Sequence, residues 1–399
     1  MTNIVAHIFL IIIELIILIR LGRNRAVFSP VIIGIAIPFF YSHAFLFDYF
    51  LFSVDELHMF IMGSSIHVKS NEYLAISLLY FVYIIGFSIP ALLKNKKNFE
   101  KIHSLKPPRF QLVFYVIAVS ILFYYTLIAY GAERIALKAS SGPLKTLSLG
   151  AAFYYITFFM ISRTKWDLTK IITIAILILF SLFGWEREWV LFSLIAVCLS
   201  SIKISNLKIG ARSIMIGLIA LTFMLLYKWL YSYLRLEFMG EEDLLYKLPT
   251  LTLAGSDPLP SMLMIKEYLN DDPYDLYYGS YIINIIMQVV RMFGLSDWQS
   301  IGEFTRLYYT NDALGLGFSM ILESMINFGI IGPVLIGIMI GAVASRLEYL
   351  TDHKEKIAQL IFFIFALKLV RSELAVVLKL YMLPCMIAYL FYRPSFKRV

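Results

Sequence analysis

The sequence predicts an all-α fold: a polytopic bundle of about 11 transmembrane helices with one long loop on its outer side. Three observations predict it. Of the 399 residues, 60% are hydrophobic and 16% charged, whereas a soluble globular chain averages about 45–50% apolar and about 25% charged. The apolar residues fall into long unbroken blocks, and a hydrocarbon layer about 30 Å thick is crossed by about 20 residues of helix. The polar stretches between the blocks alternate between strongly basic and neutral or acidic. This pattern excludes a soluble enzyme, a disordered chain and a secreted disulfide scaffold. The two cysteines, Cys198 and Cys385, lie inside apolar blocks, which argues against disulfides and cysteine metal sites.

Eleven spans fit the blocks, at 3–21, 27–47, 73–93, 110–130, 147–162, 169–184, 189–202, 213–232, 317–345, 357–370 and 374–392. The first is preceded by no positive charge and followed by Arg20, Arg23 and Arg25, the reverse of a signal peptide's flank order, so it reads as a retained span. Its Glu14 is an ionisable group at membrane depth and predicts a partner inside the bundle. Pro38, Pro90, Pro333 and Pro384 fall within or at the ends of spans, where neighbouring helices satisfy the freed carbonyls. Gly329, Gly332, Gly337 and Gly341 predict a small-residue packing face on span nine.

With these spans, the loops on one side carry 21 of the 35 basic residues against five acidic ones. The positive-inside rule makes that side cytoplasmic, the amino terminus external and the carboxyl terminus cytoplasmic. The net charge of +8 therefore records orientation and not a nucleic-acid partner. No composition shift or repeat divides the chain, so residues 1–399 read as a single transmembrane domain.

Its exception is an outward loop, 233–316, and a loop of that length in a compact protein is usually functional. Within it, Leu259–Leu269 has helical apolar spacing with Lys266 and Glu267 on the other face. Ser280–Leu295 is apolar but short and carries Arg291. As a span it would reverse every later loop, so it reads as an interfacial or re-entrant helix. The smaller outward segment 48–72 is partly apolar and also fits the membrane surface.

The informative residues are charges near the outward ends of spans. Arg187 lies in the Trp185–Trp189 turn between spans six and seven, with Glu186 and Glu188 beside it. Lys368 and Arg371 stand three residues apart before Glu373, a spacing that shares one helix face. Lys228 and Arg235 top span eight, Lys379 lies in span eleven, Arg291 in the loop helix and Glu323 two turns into span nine. Several cations beside isolated carboxylates at headgroup level suit a lipid-linked pyrophosphate. Arginine's planar fork binds phosphate oxygens in pairs, and such a site stabilises pyrophosphate as it leaves. A carboxylate there suits proton removal from an attacking sugar hydroxyl. The same residues also fit neutralised pairs at wet turns, and Glu323 equally fits a buried partner for an arginine. The histidines at 7, 43, 58, 67, 103 and 353 show no metal-ligand spacing, and no Walker motif is present.

Arg291 precedes Ile301-Gly302-Glu303-Phe304, and further on come Gly315-Leu316-Gly317-Phe318-Ser319, Glu323 and Asn327-Phe328-Gly329-Ile330-Ile331-Gly332. This stretch resembles the Wzy-type O-antigen, or oligosaccharide repeat-unit, polymerases, in which a loop arginine precedes a G-x-S-x-x-x-E-x-x-x-N-F-G-x-x-G pattern entering a span. Arg291 to Gly302 and Arg306 to Gly317 match the family's R-x10-G spacing. Glu267–Leu269, Tyr277–Tyr281, Gly184…Arg187 and Leu369-Val370-Arg371-Ser372 fit as well. Val290 stands where the family has proline.

The resemblance covers roughly the second half of the chain. It implies a bacterial inner-membrane glycosyltransferase with a GT-C-like helical bundle and its site facing the periplasm. That enzyme transfers a growing glycan from undecaprenyl pyrophosphate to the non-reducing end of an incoming repeat unit, as O-antigen or capsular polysaccharide. In these terms Arg187, Arg291 and Arg371 hold the donor pyrophosphate, Lys368 and Arg235 assist, and Glu323 orients an arginine or acts as base. No metal or nucleotide cofactor is implied. The implied partners are the lipid-linked glycan, the bilayer, a polysaccharide co-polymerase that regulates chain length, and a flippase. The rival readings are an O-antigen ligase, disfavoured because 233–316 holds no histidine, and a lipid-linked oligosaccharide flippase or other transporter, which predicts broken helices and midplane charges.

Overall fold

The computed structural model describes residues 2–23, 25–52, 57–61, 64–68, 70–93, 109–131, 143–162, 167–183, 187–200, 208, 210, 280–292, 295, 319–348, 353–370, 372 and 374–392. Side chains at several helix ends, Arg187 among them, lie outside the description. The described chain is helical apart from one short hairpin. Helices run α1 Thr2–Gly22, α2 Pro30–Phe52, α3 Ser70–Leu93, α4 Arg109–Gly131, α5 Pro143–Ser162, α6 Leu168–Phe183, α7 Arg187–Ser200, α8 Ser280–Met292, α9 Met320–Phe328, α10 Ile331–Leu347 and α11 His353–Leu369. The last, α12, covers Leu374–Tyr392. Every predicted span falls on a helix except 213–232, which lies outside the described residues together with most of the predicted loop 233–316.

Three helical segments, Val5–Gly22, Leu74–Leu93 and Leu374–Tyr392, are long and apolar enough to cross a membrane. Helices α1 and α4 turn large apolar side chains outward and bury isolated polar ones. On α1, Phe9, Ile12, Ile16 and Ile19 are exposed while His7 and Glu14 are buried. On α4, Leu112, Val113, Val116 and Phe123 are exposed while Gln111 is buried. Water would penalise such a surface and hydrocarbon does not, since the driving force for burying apolar groups vanishes in lipid.

Two cores form. One joins α1, α2, α3, α9, α10 and α11 around Ile35, Tyr83, Phe87 and Ile321. The other joins α4, α5, α6, α7, α11 and α12 around Phe158, Phe159, Phe192 and Leu360. Helix α11 contributes to both and so fixes one half against the other. The tightest helix pair is α3 with α10. A Cβ at Gly337 would collide with the backbone carbonyl of Tyr83, and one at Gly341 with that of Phe87. The same holds for Gly86 against the Val334 carbonyl. These glycines let two backbones touch, as expected where small residues drive packing in a membrane.

Gly329 departs from that expectation. It does not face α3; it breaks the predicted span nine into α9 and α10, with φ 62° and ψ −156°. That backbone region is open essentially to glycine alone. Gly332 then brings α10 against the end of α9, where a Cβ would strike the Ser324 carbonyl. Pro333 follows in the first turn of α10, where its missing N–H costs nothing.

Segment 48–72, expected from the sequence to rest on the membrane surface, contains a helix end and a hairpin. Helix α2 continues to Phe52, and strands β1 (Leu57–Ile61) and β2 (Ser64–Val68) pair antiparallel, with His58 opposite His67. Helix α12 winds as a π-helix over Leu378–Met382, with the Leu383 N–H donating to the Leu378 carbonyl. Pro384 explains the wider turn: its ring removes one donor and crowds the carbonyl four residues back.

One end of the bundle joins several polar contacts. Arg25 Nε bonds Glu348 Oε2 at 2.9 Å, and its other nitrogens donate to the carbonyls of Leu21 and Ala91. Ala26 bridges Lys208. All these belong to segments assigned to one side by the loop charges. Tyr80, Ser319 and Leu369 meet at the middle of α3, eleven residues or about 16 Å from Ala91.

Candidate functional site

Helix α9 carries the serine, glutamate and asparagine of the motif. Ser319, Glu323 and Asn327 recur every fourth residue, so they line one face of the helix, and all three are fully buried. Ser319 is the N-cap, in extended conformation, its hydroxyl accepting from the Ile321 N–H at 3.2 Å. That hydroxyl also donates to the Leu369 carbonyl at 3.3 Å and accepts from the Tyr80 hydroxyl at 3.4 Å. Asn327 Nδ2 donates to the Glu323 carbonyl at 2.9 Å. Gly329 and Gly332 supply the break described above. Ser319, Asn327, Gly329 and Gly332 of the motif thus each have a stereochemical duty.

Glu323 reaches furthest. Its Oε2 accepts the backbone N–H of Leu374, the first residue of α12, at 2.8 Å. A carboxylate at a helix N-terminus meets unsatisfied donors and the positive end of the helix dipole. This contact and the Ser319–Leu369 bond pin the two sides of the turn between α11 and α12 to α9. Lys368 stands beside that turn. It is buried in the last turn of α11, its Nζ 4.3 Å from the centroid of the Tyr381 ring, within cation–π range.

Tyr381 belongs to the π-turn of α12, and so does Lys379, whose Nζ donates to Gln288 Oε1 of α8 at 2.8 Å. Helix α8 is amphipathic in the sense opposite to a soluble helix. Asn284 and Gln288 are buried and Arg291 half-buried, whereas Ile283 and Ile286 are more than half exposed. Positions 284, 288 and 291 share one face. Helix α8 packs against the first turn and the π-turn of α12, so its amide face and Arg291 are turned towards the bundle side while isoleucines face outward. A π-turn inside an α-helix is often a functional feature; here it presents Lys379 and Tyr381 to two neighbouring helices.

Of the residues singled out in the sequence, Glu323, Lys368 and Arg291 therefore lie on elements that meet at the start of α12. Arg187 is the first residue of α7, which packs on α6, α5 and α11. Trp189 stacks on Phe180 at 4.5 Å and on Phe153 at 4.8 Å and anchors that helix end. Arg235 and Arg371 lie outside the described residues, as do Lys228 and Glu373. Helix α11 ends at Leu369, and the helix face expected to join Lys368 with Arg371 falls on Arg371, outside the described residues.

Three participants escaped sequence reasoning. Gln288 and Asn284 were hidden in an apolar run, although their four-residue spacing with Arg291 following was a usable signal. Tyr80 comes from α3, far away in sequence, and only the fold reveals it. Among the described residues no group of three histidine, cysteine or acidic side chains is arranged to hold a metal ion.

Fold and site together define a helical membrane-protein class in which a buried carboxylate, amides and cations gather at the start of one helix. No protein-family model, curated protein or solved structure matches the chain.

Proposed function

We propose that this protein is a polytopic membrane glycosyltransferase that polymerises lipid-pyrophosphate-linked oligosaccharide repeat units at the outer face of a bacterial cytoplasmic membrane. In this reading the chain has eleven spans, the amino terminus is periplasmic, the carboxyl terminus cytoplasmic, and residues 233–316 form the outer loop. The observation that carries it is the Glu323–Leu374 contact, which gathers the motif helix, the Lys368 turn and the Arg291 helix at one end of the bundle.

The mechanism follows from charge. Lys368, Arg291 and the described Lys379, joined by Arg187, Arg235 and Arg371 from the sequence, offset the charge that develops on pyrophosphate as the sugar–phosphate bond breaks. Arginine holds phosphate oxygens bidentately and lysine as a point charge. Glu323 holds the start of α12 in place and orients the cations; pyrophosphate leaves readily, so the cations matter more than a strong base. The terminal hydroxyl of the acceptor unit attacks the anomeric carbon of the donor, its proton passing to solvent or to a carboxylate. No metal or nucleotide enters this scheme.

The experiment is a pair of variants in cells making the glycan. Arg291→Ala and Arg371→Ala, expressed at normal levels, should each abolish polymer and leave single repeat units capping the surface glycolipid. A wild-type ladder from both removes the pyrophosphate assignment.

A second reading, a lipid-linked oligosaccharide flippase, gains from the broken helix at Gly329 and from the buried Glu14–His43 pair, since transporters use discontinuous helices and intramembrane charge. A knockout separates the two. A missing polymerase leaves translocated single units, and a missing flippase leaves units on the cytoplasmic side.

A further inference from the structure

A second polar cluster lies in the α1–α2 wall. Helix α1 carries His7 and Glu14 seven residues apart, two turns and hence one face. Helix α2 brings His43 to them. Its Nε2 stands 2.7 Å from Glu14 Oε2, and its ring centroid 6.2 Å from that of His7, the planes at 82°. Phe39 closes one side, edge-on at 5.2 Å. All three groups are sealed, with exposures of 2%, 0% and 0% for His7, Glu14 and His43. Both nitrogens of His7, Nδ1 of His43 and Oε1 of Glu14 meet no hydrogen-bond partner among the described residues.

The ionisable groups on the surrounding elements do not compensate a charge there. The described part of α3 carries no charged side chain, and Tyr80 and Tyr83 are its buried hydroxyls, Tyr80 committed to Ser319. Helices α10 and α11, packed on α2, carry Arg346, Glu348, Lys356 and Lys368 near their ends. Of these, Glu348 is bound to Arg25 and Lys368 faces Tyr381. On α2 itself Tyr41 is half-buried; the Asp48 and Glu72 side chains lie outside the described residues.

An isolated carboxylate in hydrocarbon is strongly disfavoured, and it either pairs or takes a proton. Glu14 ionised beside a neutral His43 leaves one uncompensated negative charge. One added proton, on either partner of the 2.7 Å bond, brings the pair to zero net charge. A neutral imidazole keeps one N–H and one lone pair, so His7 offers a further base two turns nearer the start of α1. The arrangement gathers no metal-holding group of three, which leaves the proton as the ligand.

We propose that His7, Glu14 and His43 form a buried proton-binding site within the membrane wall, one proton being shared between Glu14 and His43 with His7 as its neighbouring acceptor. This site stands apart from the Glu323 site and does not depend on the glycan reading.

The test uses the full chain in lipid nanodiscs with 15N-labelled histidine, followed by NMR from about pH 5 to about pH 8, the range in which histidine changes charge. Signals of His7 and His43 are identified by His7→Gln and His43→Gln. The expected result is that the Nε2 signal of His43 carries the mark of a proton shared with Glu14, and that Glu14→Gln abolishes that mark while the melting temperature is retained. If Glu14→Gln fails to fold, His43→Gln reads the same coupling through a changed response at His7. The proposal is overturned if no proton is shared between His43 Nε2 and Glu14 at any pH in the range, or if the Glu14 and His43 variants leave the His7 signal as in wild type.

Discussion

Glu323 Oε2 accepts the backbone N–H of Leu374 at 2.8 Å, joining residues fifty-one apart in sequence. The carboxylate thus caps the last helix with a side chain from the motif helix, and its structural and chemical duties separate by substitution. A glutamine can still accept the Leu374 N–H but carries no charge. We predict that Glu323→Gln melts within about 1 kcal/mol of wild type, whereas Glu323→Ala strands a buried donor and loses about 1–3 kcal/mol. Thermal melts in detergent measure both. Polymer loss in the well-folded glutamine variant assigns the charge to function; wild-type polymer from it leaves Glu323 a cap alone.

The α3–α10 contact is backbone against backbone. Gly337→Ala and Gly341→Ala each place a methyl on a carbonyl of α3, and overpacking of this kind costs about 1–3 kcal/mol. Gly210, with open space around it, is the control. Gly210→Ala is expected to melt like wild type, and equal losses at all three positions would contradict the packing argument.

The Arg25–Glu348 pair is buried at both partners. Glu348→Ala takes the carboxylate from a guanidinium that also donates to the Leu21 and Ala91 carbonyls, and breaking one side of such a pair costs about 3–5 kcal/mol. The double variant Arg25→Met, Glu348→Leu is expected to recover most of that loss. A double-mutant cycle of melting free energies checks it; additivity of the two single changes would show that the pair is not coupled.

Sidedness follows from the charge count and is testable with two probes. In a chain with Cys198 and Cys385 replaced by alanine, a single cysteine at Lys208 is expected to resist a membrane-impermeant maleimide in spheroplasts. One at Leu295, which is largely exposed, is expected to react. The opposite pattern reverses the orientation.

The helices were readable from the sequence because a span is a local signal: twenty apolar residues need no partner to announce themselves. Glu14 was readable as needing a partner, but His43 was not nameable, since the pairing joins two helices through geometry that no spacing encodes. The small-residue face was read correctly at Gly337 and Gly341 and wrongly at Gly329. A glycine that packs and a glycine that turns are the same letter, and only φ distinguishes them. The hairpin at Leu57–Val68 was missed because its alternation sits inside an aromatic run that also suits a membrane surface. At the candidate site, Glu323 and Lys368 were marked by their cost of burial. Gln288 was not, because a neutral amide in an apolar run carries no such mark.

The most direct measurement is made with purified protein in proteoliposomes given a synthetic undecaprenyl-pyrophosphate-linked repeat unit, without ATP or added metal. A ladder of lengthened lipid-linked glycans, with release of undecaprenyl pyrophosphate and absent in Arg291→Ala, is the predicted result. Substrate returned unchanged by folded wild-type protein, or a ladder undiminished in Arg291→Ala, would contradict the account.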